Sequence, residues 1–173
     1  MEMKKARFEI KIDYPENISA NMTATGTDNL EFYFSSNPGL PLGKFREIAS
    51  GGELSRLMLV LTSIVWKQEH STFIFDEIDT GIGGKTAEFV GEKLRKISKN
   101  NQVICISHLP QIAVYADSHF LVSKSFIDNQ TYCKVDKISD QERARVIAGL
   151  MAGENIDQDL LKVASKLIRD KQS

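Results

Sequence analysis

The tetrapeptide Ser50-Gly51-Gly52-Glu53 has the residue types of a helix start that binds an anion. Ser50 is a good N-cap, and the two glycines carry no Cβ, so a ligand can come close to their backbone N–H groups. Free amides and the helix dipole together favour phosphate at such a terminus. An ordinary Ser-capped helix after a loop has the same residues, so the tetrapeptide alone leaves both interpretations open.

Two acids and a histidine follow two short apolar segments. Asp76-Glu77 comes directly after Phe73-Ile74-Phe75, and His108 follows Ile106-Ser107. Phosphoryl-transfer ATPases use an Asp at such a position to hold Mg²⁺ and a Glu to polarise the attacking water. The histidine could contact a γ-phosphate beside them. Solvated acids at a strand end and a structural histidine are the alternative interpretation.

A parallel pair of strands would bring these residues together. Thr72–Phe75 and Gln102–Ile106 have the apolar pattern of buried strands. Between them, Gly81–Gly84 breaks the chain, and a helix then runs to about Lys99. Strand, crossover helix and strand predict a parallel arrangement, in which ligands gather at the carboxyl ends of the strands. A long helix over Glu53–Gln68 would carry the glycines. Its predicted apolar face contains Leu54, Met58, Leu61 and Val65.

The remaining segments predict a mixed α/β fold. Arg7–Asp13 and Leu30–Phe34 alternate apolar and polar residues, as two half-buried strands do. Phe120–Phe126 and Tyr132–Ile138 alternate around Asp128-Asn129 as the strands of a hairpin do, and an S-x-x-E capping box at Ser139 starts a helix. A last amphipathic helix follows. Its apolar residues are Leu160, Ala164, Leu167 and Ile168.

The composition is typical of one globular domain. No apolar run approaches the roughly 20 residues of a membrane helix, and the first residues lack the apolar segment of a secretory signal. We therefore predict a cytoplasmic protein that does not contact a membrane. The net charge of −1 provides no general attraction for nucleic acid, so any contact with DNA must be local or come from elsewhere.

In order and spacing, three segments resemble the motifs of ABC-type ATPases. Ser50–Glu53 is similar to the signature, Phe73–Glu77 to Walker B, and Ile106–His108 to the switch histidine. The longer strings IASGGELSRLM, FDEIDTGIGG and ISHLPQIA resemble the members that repair DNA in bacteria and are related to the SMC proteins. In that group a long coiled coil divides the ATPase head in sequence. The resemblance implies that residues 1–173 are the C-terminal half of a head, as one domain.

The resemblance also implies a role for each site residue. Asp76 would bind the water shell of Mg²⁺, Glu77 would activate water, and His108 would sense the γ-phosphate of ATP. The signature would contact ATP held by a second head of the same kind, so the head would act as a homodimer. The residues implied to bind nucleotide are Ser50, Gly51, Gly52, Glu53, Asp79 and Gly81.

The sequence departs from the family pattern at two positions. Ala49 replaces the usual leucine of the signature, which is a modest change at a packing position. Gly83 stands where many relatives carry an aspartate in the D-loop, here Thr80–Gly83. A D-loop carboxylate therefore cannot be assumed.

No stretch of the chain matches the phosphate-binding loop GxxxxGK[ST]. The segment from Gly39 to Lys44 is one residue short, and Gly84-Lys85-Thr86 has Asp79 where the first glycine should be. We interpret both as chance partial matches. The resemblance then predicts that the P-loop lies in an N-terminal half of the same head, which would be a partner of this chain.

Further predictions concern the complete protein and the alternatives. DNA would be bound through the complete protein, in the bacterial cytoplasm at the nucleoid. A non-catalytic scaffold that binds a partner or DNA would leave the acids solvated. A metal-dependent hydrolase would use Asp76, Glu77, Asp79 and His108, but it would leave the glycine-rich helix start without a role.

Overall fold

The structure is a computed structural model, and it describes residues 7–15, 22–35, 39–48, 51–65 and 70–172. The chain divides into two compact units, Met1–Ser50 and Gly51–Ser173, and each is described by itself. The predictions for Ala49, Ser50 and the end of the long helix at Gln68 lie outside the described residues. The prediction of a single domain stays a prediction.

The first unit is a small antiparallel sheet. Strand β1 (Arg7–Asp13) pairs with β2 (Asn29–Ser35), which pairs with β3 (Gly43–Lys44), and helix α1 (Phe45–Ile48) follows. Lys44 lies in β3 and forms an ion pair with Glu31 at 3.5 Å. This strand position differs from that of a P-loop lysine, which follows a strand at a helix start.

Alternation predicted the strands of this sheet correctly but not their burial. Phe8, Ile10 and Ile12 share one face of β1 and remain 44–51% exposed. The expectation of a half-buried β1 is therefore wrong in the part of the chain that the structure describes. Periodicity reports which residues share a face, whereas burial needs another element against that face.

The second unit begins with four elements around one apolar core. They are α2 (Gly51–Val65), β4 (Thr72–Phe75), α3 (Gly84–Ser98) and β5 (Gln102–Cys105). β4 and β5 are parallel, with Phe75 opposite Cys105, as the crossover pattern predicts. Leu59, Phe75 and Ile78 pack against the inner face of α3. The residues of that face are Ala87, Val90, Leu94 and Ile97.

The parallel pair is covered on one face only, which corrects the expectation of two fully buried strands. Phe73 and Phe75 face the core, but Ile74 is 68% exposed on the other face. Ile104, the partner of Ile74 in the register, and Ile106 are 46% and 57% exposed. Apolar side chains on both faces of a strand indicate a sheet that is covered on both sides. The exposed isoleucine face therefore has the character of a contact surface.

The packed face of α2 also differs from the expected one. Leu54, Met58 and Val65 are at least 48% exposed, whereas Gly52, Arg56 and Leu59 are buried. Apolar residues occur on most sides of this helix, so their spacing did not identify the face that packs.

The hairpin predicted after residue 120 is confirmed. β6 (Phe120–Ile127) pairs with β7 (Gln130–Lys137), and the two residues between them, Asp128 and Asn129, have φ values of 49° and 60°. Aspartate and asparagine tolerate this left-handed conformation better than most residues, which suits a two-residue hairpin turn.

Three helices form a second apolar cluster. They are α4 (Pro110–Ala113), α5 (Asp140–Ala152) and α6 (Gln158–Gln172). The predicted capping box is present: the Ser139 amide donates to Glu142 Oε2 at 2.8 Å, and Ser139 Oγ accepts from the Glu142 amide at 3.3 Å. Within the described ranges, no helix is both long enough and apolar enough to span a membrane.

Candidate functional site

The carboxyl ends of β4 and β5 lie side by side. The Ile106 amide donates to the Phe75 carbonyl oxygen at 2.9 Å, so the residues that follow the two strands leave the sheet at one edge. Asp76-Glu77 follows β4, and Ser107-His108 follows β5. This is the edge at which α/β sheets bind their ligands.

The two acids after β4 occupy a tight turn. Glu77 is not a glycine but has a φ of 55°, a conformation that costs of order 1–3 kcal/mol at such a residue. Its amide donates to Asp76 Oδ1 at 2.9 Å, and its carbonyl accepts from the Thr80 amide at 3.1 Å. Both acidic residues are exposed to solvent. Backbone strain of this kind is concentrated at functional sites.

The glycines at the start of α2 lie against this turn. A Cβ built on Gly51 would be 2.9 Å from Glu77 Oε2, so the carboxylate stands beside the helix terminus. A Cβ on Gly52 would be 2.8 Å from the Glu77 carbonyl oxygen. Ser55 Oγ also donates to the Asp76 carbonyl oxygen at 2.8 Å. The helix start and the acids, predicted separately, therefore form one site.

Two other residues predicted to bind nucleotide, Glu53 and Gly81, differ in their exposure to solvent. Glu53 is half-buried in the first turn of α2. Gly81 is exposed, and a Cβ on it would meet no atom within 4 Å, although its φ of 72° favours glycine. A side chain at Gly81 would thus point into open space. Ser50 lies outside the described residues.

Arg56 was missed in the sequence but has a central place in the site. Its side chain is buried, and Nη1 donates to the Ile78 carbonyl at 3.1 Å and to the Thr80 carbonyl at 2.7 Å. Burial lowers its pKa, against the opposing attraction of Glu53 and Asp79. An arginine keeps its charge in a protein even so. The only signal in the sequence was a charged residue one turn after the glycines.

Asp79 lies inside the turn and contacts the end of β5. It is 4% exposed, its Oδ2 accepts from Ser107 Oγ at 2.7 Å and from the His108 amide at 2.7 Å, and the same oxygen lies 2.9 Å from His108 Nδ1. Burial alone would raise the pKa of this carboxyl. The hydrogen bonds from Ser107 and His108 and the attraction of the imidazole outweigh it, so the pKa lies below its usual value.

The side chains at this edge of the sheet limit how a metal ion such as Mg²⁺ could bind. Among the residues that the structure describes, no group of three or more His, Cys, Asp or Glu could hold a metal ion. This gives no support to the alternative of a four-residue metal hydrolase. One exposed carboxylate such as Asp76 fits Mg²⁺, which keeps several waters and binds proteins through one or two carboxylates plus substrate phosphates.

The two glycines differ in what a side chain would meet, which provides a matched pair of variants. Gly52→Ala is expected to lower the free energy of unfolding by about 1–3 kcal/mol, because its Cβ would lie 2.8 Å from both the Glu77 carbonyl oxygen and Thr80 Cβ. Gly51→Ala would meet only the end of the Glu77 side chain, which can rotate, and should stay within about 0.5 kcal/mol. Urea unfolding followed by circular dichroism measures both. Equal losses would contradict the described geometry.

Comparison with known proteins identifies the family of this chain. No family model matches the chain. The DNA repair protein RecN of Halalkalibacterium halodurans is 39% identical over 167 residues, and that of Rickettsia prowazekii is 43% identical over 169 residues. These matches cover 96% and 97% of the chain. This chain is RecN-like. It spans about 30% of the length of either RecN relative.

A solved structure shares the fold of this chain. The Smc head domain of Pyrococcus furiosus, solved with an extended coiled coil and bound to the C-terminal domain of ScpA, has a TM-score of 0.51 and 19% identity. The match covers 84% of this chain and 34% of that one. The predicted fold class, an α/β lobe of a head with a parallel pair, antiparallel strands and a hairpin with helices, is confirmed.

Proposed function

We propose that this chain is the C-terminal half of the ATPase head of a RecN-like DNA-repair protein. The observation that carries the proposal is the single cluster of Gly51, Gly52, Asp76 and Glu77, with His108 at the end of the neighbouring strand. Likeness to RecN proteins over almost the whole chain supports it. ATP and Mg²⁺ are the proposed ligands.

Each residue of the cluster has a proposed task. Glu77 accepts a proton from the attacking water and orients it, and Asp76 holds the water shell of Mg²⁺. His108 stabilises charge on the γ-phosphate, since 74% of its side chain is exposed and within reach of a ligand. When bound, the magnesium nucleotide supplies the phosphoryl group that is cleaved.

The signature residues Ser50, Gly51 and Gly52 are proposed to contact ATP bound by a second head. Amides at the start of a 15-residue helix favour a phosphate there. Glu53 and Gly81 are proposed to border the nucleotide in the same assembly. Such a site is complete only in the homodimer, so ATP would hold two heads together until it is hydrolysed.

The P-loop half of the head is proposed to cover the exposed sheet face of Ile74, Ile104 and Ile106. These side chains are 46–68% exposed, and burying apolar surface stabilises by about 25 cal/mol per Å². The RecN relatives are about three times as long as the matched segment, so they have room for this half and for a coiled coil. The complete protein is proposed to bind DNA in the bacterial cytoplasm at the nucleoid.

Reconstitution of the head tests the proposal. The chain alone is expected to show negligible ATP turnover, because it lacks the P-loop lysine. Co-expressed with its P-loop segment, it should copurify with that segment and hydrolyse ATP. Copurification without ATP binding or hydrolysis would favour a scaffold. Robust turnover by the chain alone that is lost in Glu77→Gln would show that a P-loop equivalent lies within it.

A further inference from the structure

We propose that Asp79 is a positioning residue that holds the His108 ring with its Nδ1 edge inward and its Nε2 edge outward, toward the place where an anionic oxygen would bind. Asp79 lies outside the three segments that resemble the signature, Walker B and the switch histidine. The catalytic consequence rests on the proposed ATPase function. The orientation of the ring itself does not.

The backbone amide and the ring of His108 both contact one oxygen of Asp79. Asp79 Oδ2 accepts from the backbone amide of His108 at 2.7 Å and lies 2.9 Å from its Nδ1, while Ser107 Oγ donates to the same atom at 2.7 Å. The backbone and the ring therefore cannot turn independently. Asp79 is 4% exposed and the His108 side chain 74%, so the ring is held from the protein side and open on the other.

The charge of Asp79 decides which ring nitrogen carries the proton. Hydrogen bonds from Ser107 and His108 hold the pKa of this carboxyl below its usual range despite its burial, and buried Arg56 attracts it as well. An ionised carboxylate can only accept hydrogen bonds. Nδ1 must therefore carry a hydrogen, and in the neutral ring Nε2 has only a lone pair.

This tautomer has a consequence for phosphate contact. A lone pair on Nε2 is repelled by an anionic oxygen, so the ring can donate there only after Nε2 takes up a proton. Asp79 is thus placed to present the Nε2 edge of His108 to a phosphate oxygen.

Imidazole nitrogen NMR on the 173-residue chain tests the orientation without nucleotide. The chain has three histidines, so His70 and His119 serve as internal references and His108→Gln assigns the third signal. The Nδ1–H tautomer is expected at His108 in the unmodified chain and is expected to be lost in Asp79→Ala. Ser107→Ala, which removes a different donor to the same carboxylate, should keep it. An unchanged His108 tautomer in Asp79→Ala would overturn the proposal.

Single-turnover hydrolysis by the reconstituted head tests the consequence. Asp79→Asn keeps the shape but removes the charge, and it is expected to lower the rate at saturating ATP roughly 10–100-fold, the loss typical of residues that orient another functional group. KM should change little. Combined with His108→Ala, it should add no further loss, since both changes remove one interaction. If the losses in rate from Asp79→Asn and His108→Ala are fully additive in the double variant, the proposed coupling of Asp79 to His108 is overturned. The His108 tautomer could change in the Asp79→Ala chain while the unmodified reconstituted head fails to hydrolyse ATP. That result would support the positioning role of Asp79 and overturn the ATPase proposal.

Discussion

A reconstituted head that carries Glu77→Gln is expected to hydrolyse ATP about 10²–10⁴-fold more slowly than the unmodified head, the loss that follows removal of a general base. Glutamine has the shape of glutamate, so ATP binding should persist. Its amide cannot accept the proton of the attacking water. Because the first step after ATP-driven pairing would then be blocked, the paired heads should accumulate.

The measurement is single-turnover hydrolysis beside an assay of head pairing. Glu92→Gln provides the matched control, because Glu92 is exposed on α3 and is not among the proposed site residues. It should hydrolyse ATP at the unmodified rate. If Glu77→Gln does the same, the catalytic carboxylate has been assigned to the wrong residue.

Arg56→Ala is expected to lower the free energy of unfolding of the chain by about 3 kcal/mol or more. The guanidinium donates to the carbonyls of Ile78 and Thr80, and charge-assisted hydrogen bonds of this kind contribute about 1.5–3 kcal/mol each. The change also removes two of the hydrogen bonds between α2 and the turn that contains Asp79, although that of Ser55 to the Asp76 carbonyl remains. Lysine should recover only part of the loss, since it lacks the rigid fork of the guanidinium.

Urea unfolding of the chain measures this effect. Arg145→Ala is the matched control, because Arg145 is an exposed arginine in helix α5 and such surface changes usually stay within about 0.5 kcal/mol. An Arg56→Ala variant as stable as the Arg145→Ala variant would mean that the carbonyls of Ile78 and Thr80 do not depend on Arg56.

The sequence by itself predicted the elements whose signals are local. The alternation in Arg7–Asp13, the capping box at Ser139 and the turn at Asp128-Asn129 all correspond to observed structure. The parallel pairing of β4 and β5 also followed, because an intervening helix allows few other connections. The acids after β4 and the histidine after β5 were correctly expected at one sheet edge for the same reason.

Only the tertiary structure decided which surfaces pack and which polar groups meet. Several faces of α2 carry apolar residues at helical spacing, so the pattern did not identify the buried face. Contact with the core showed that the face with Leu59 is the buried one. Arg56 became significant because two carbonyls more than 20 positions away point at it. Asp79 was predicted to bind nucleotide, which stays a prediction; the structure adds that its carboxylate accepts a hydrogen bond from the amide of His108, 29 positions further along the chain. Such pairings depend on how distant elements pack, and no local pattern of residue types encodes that packing.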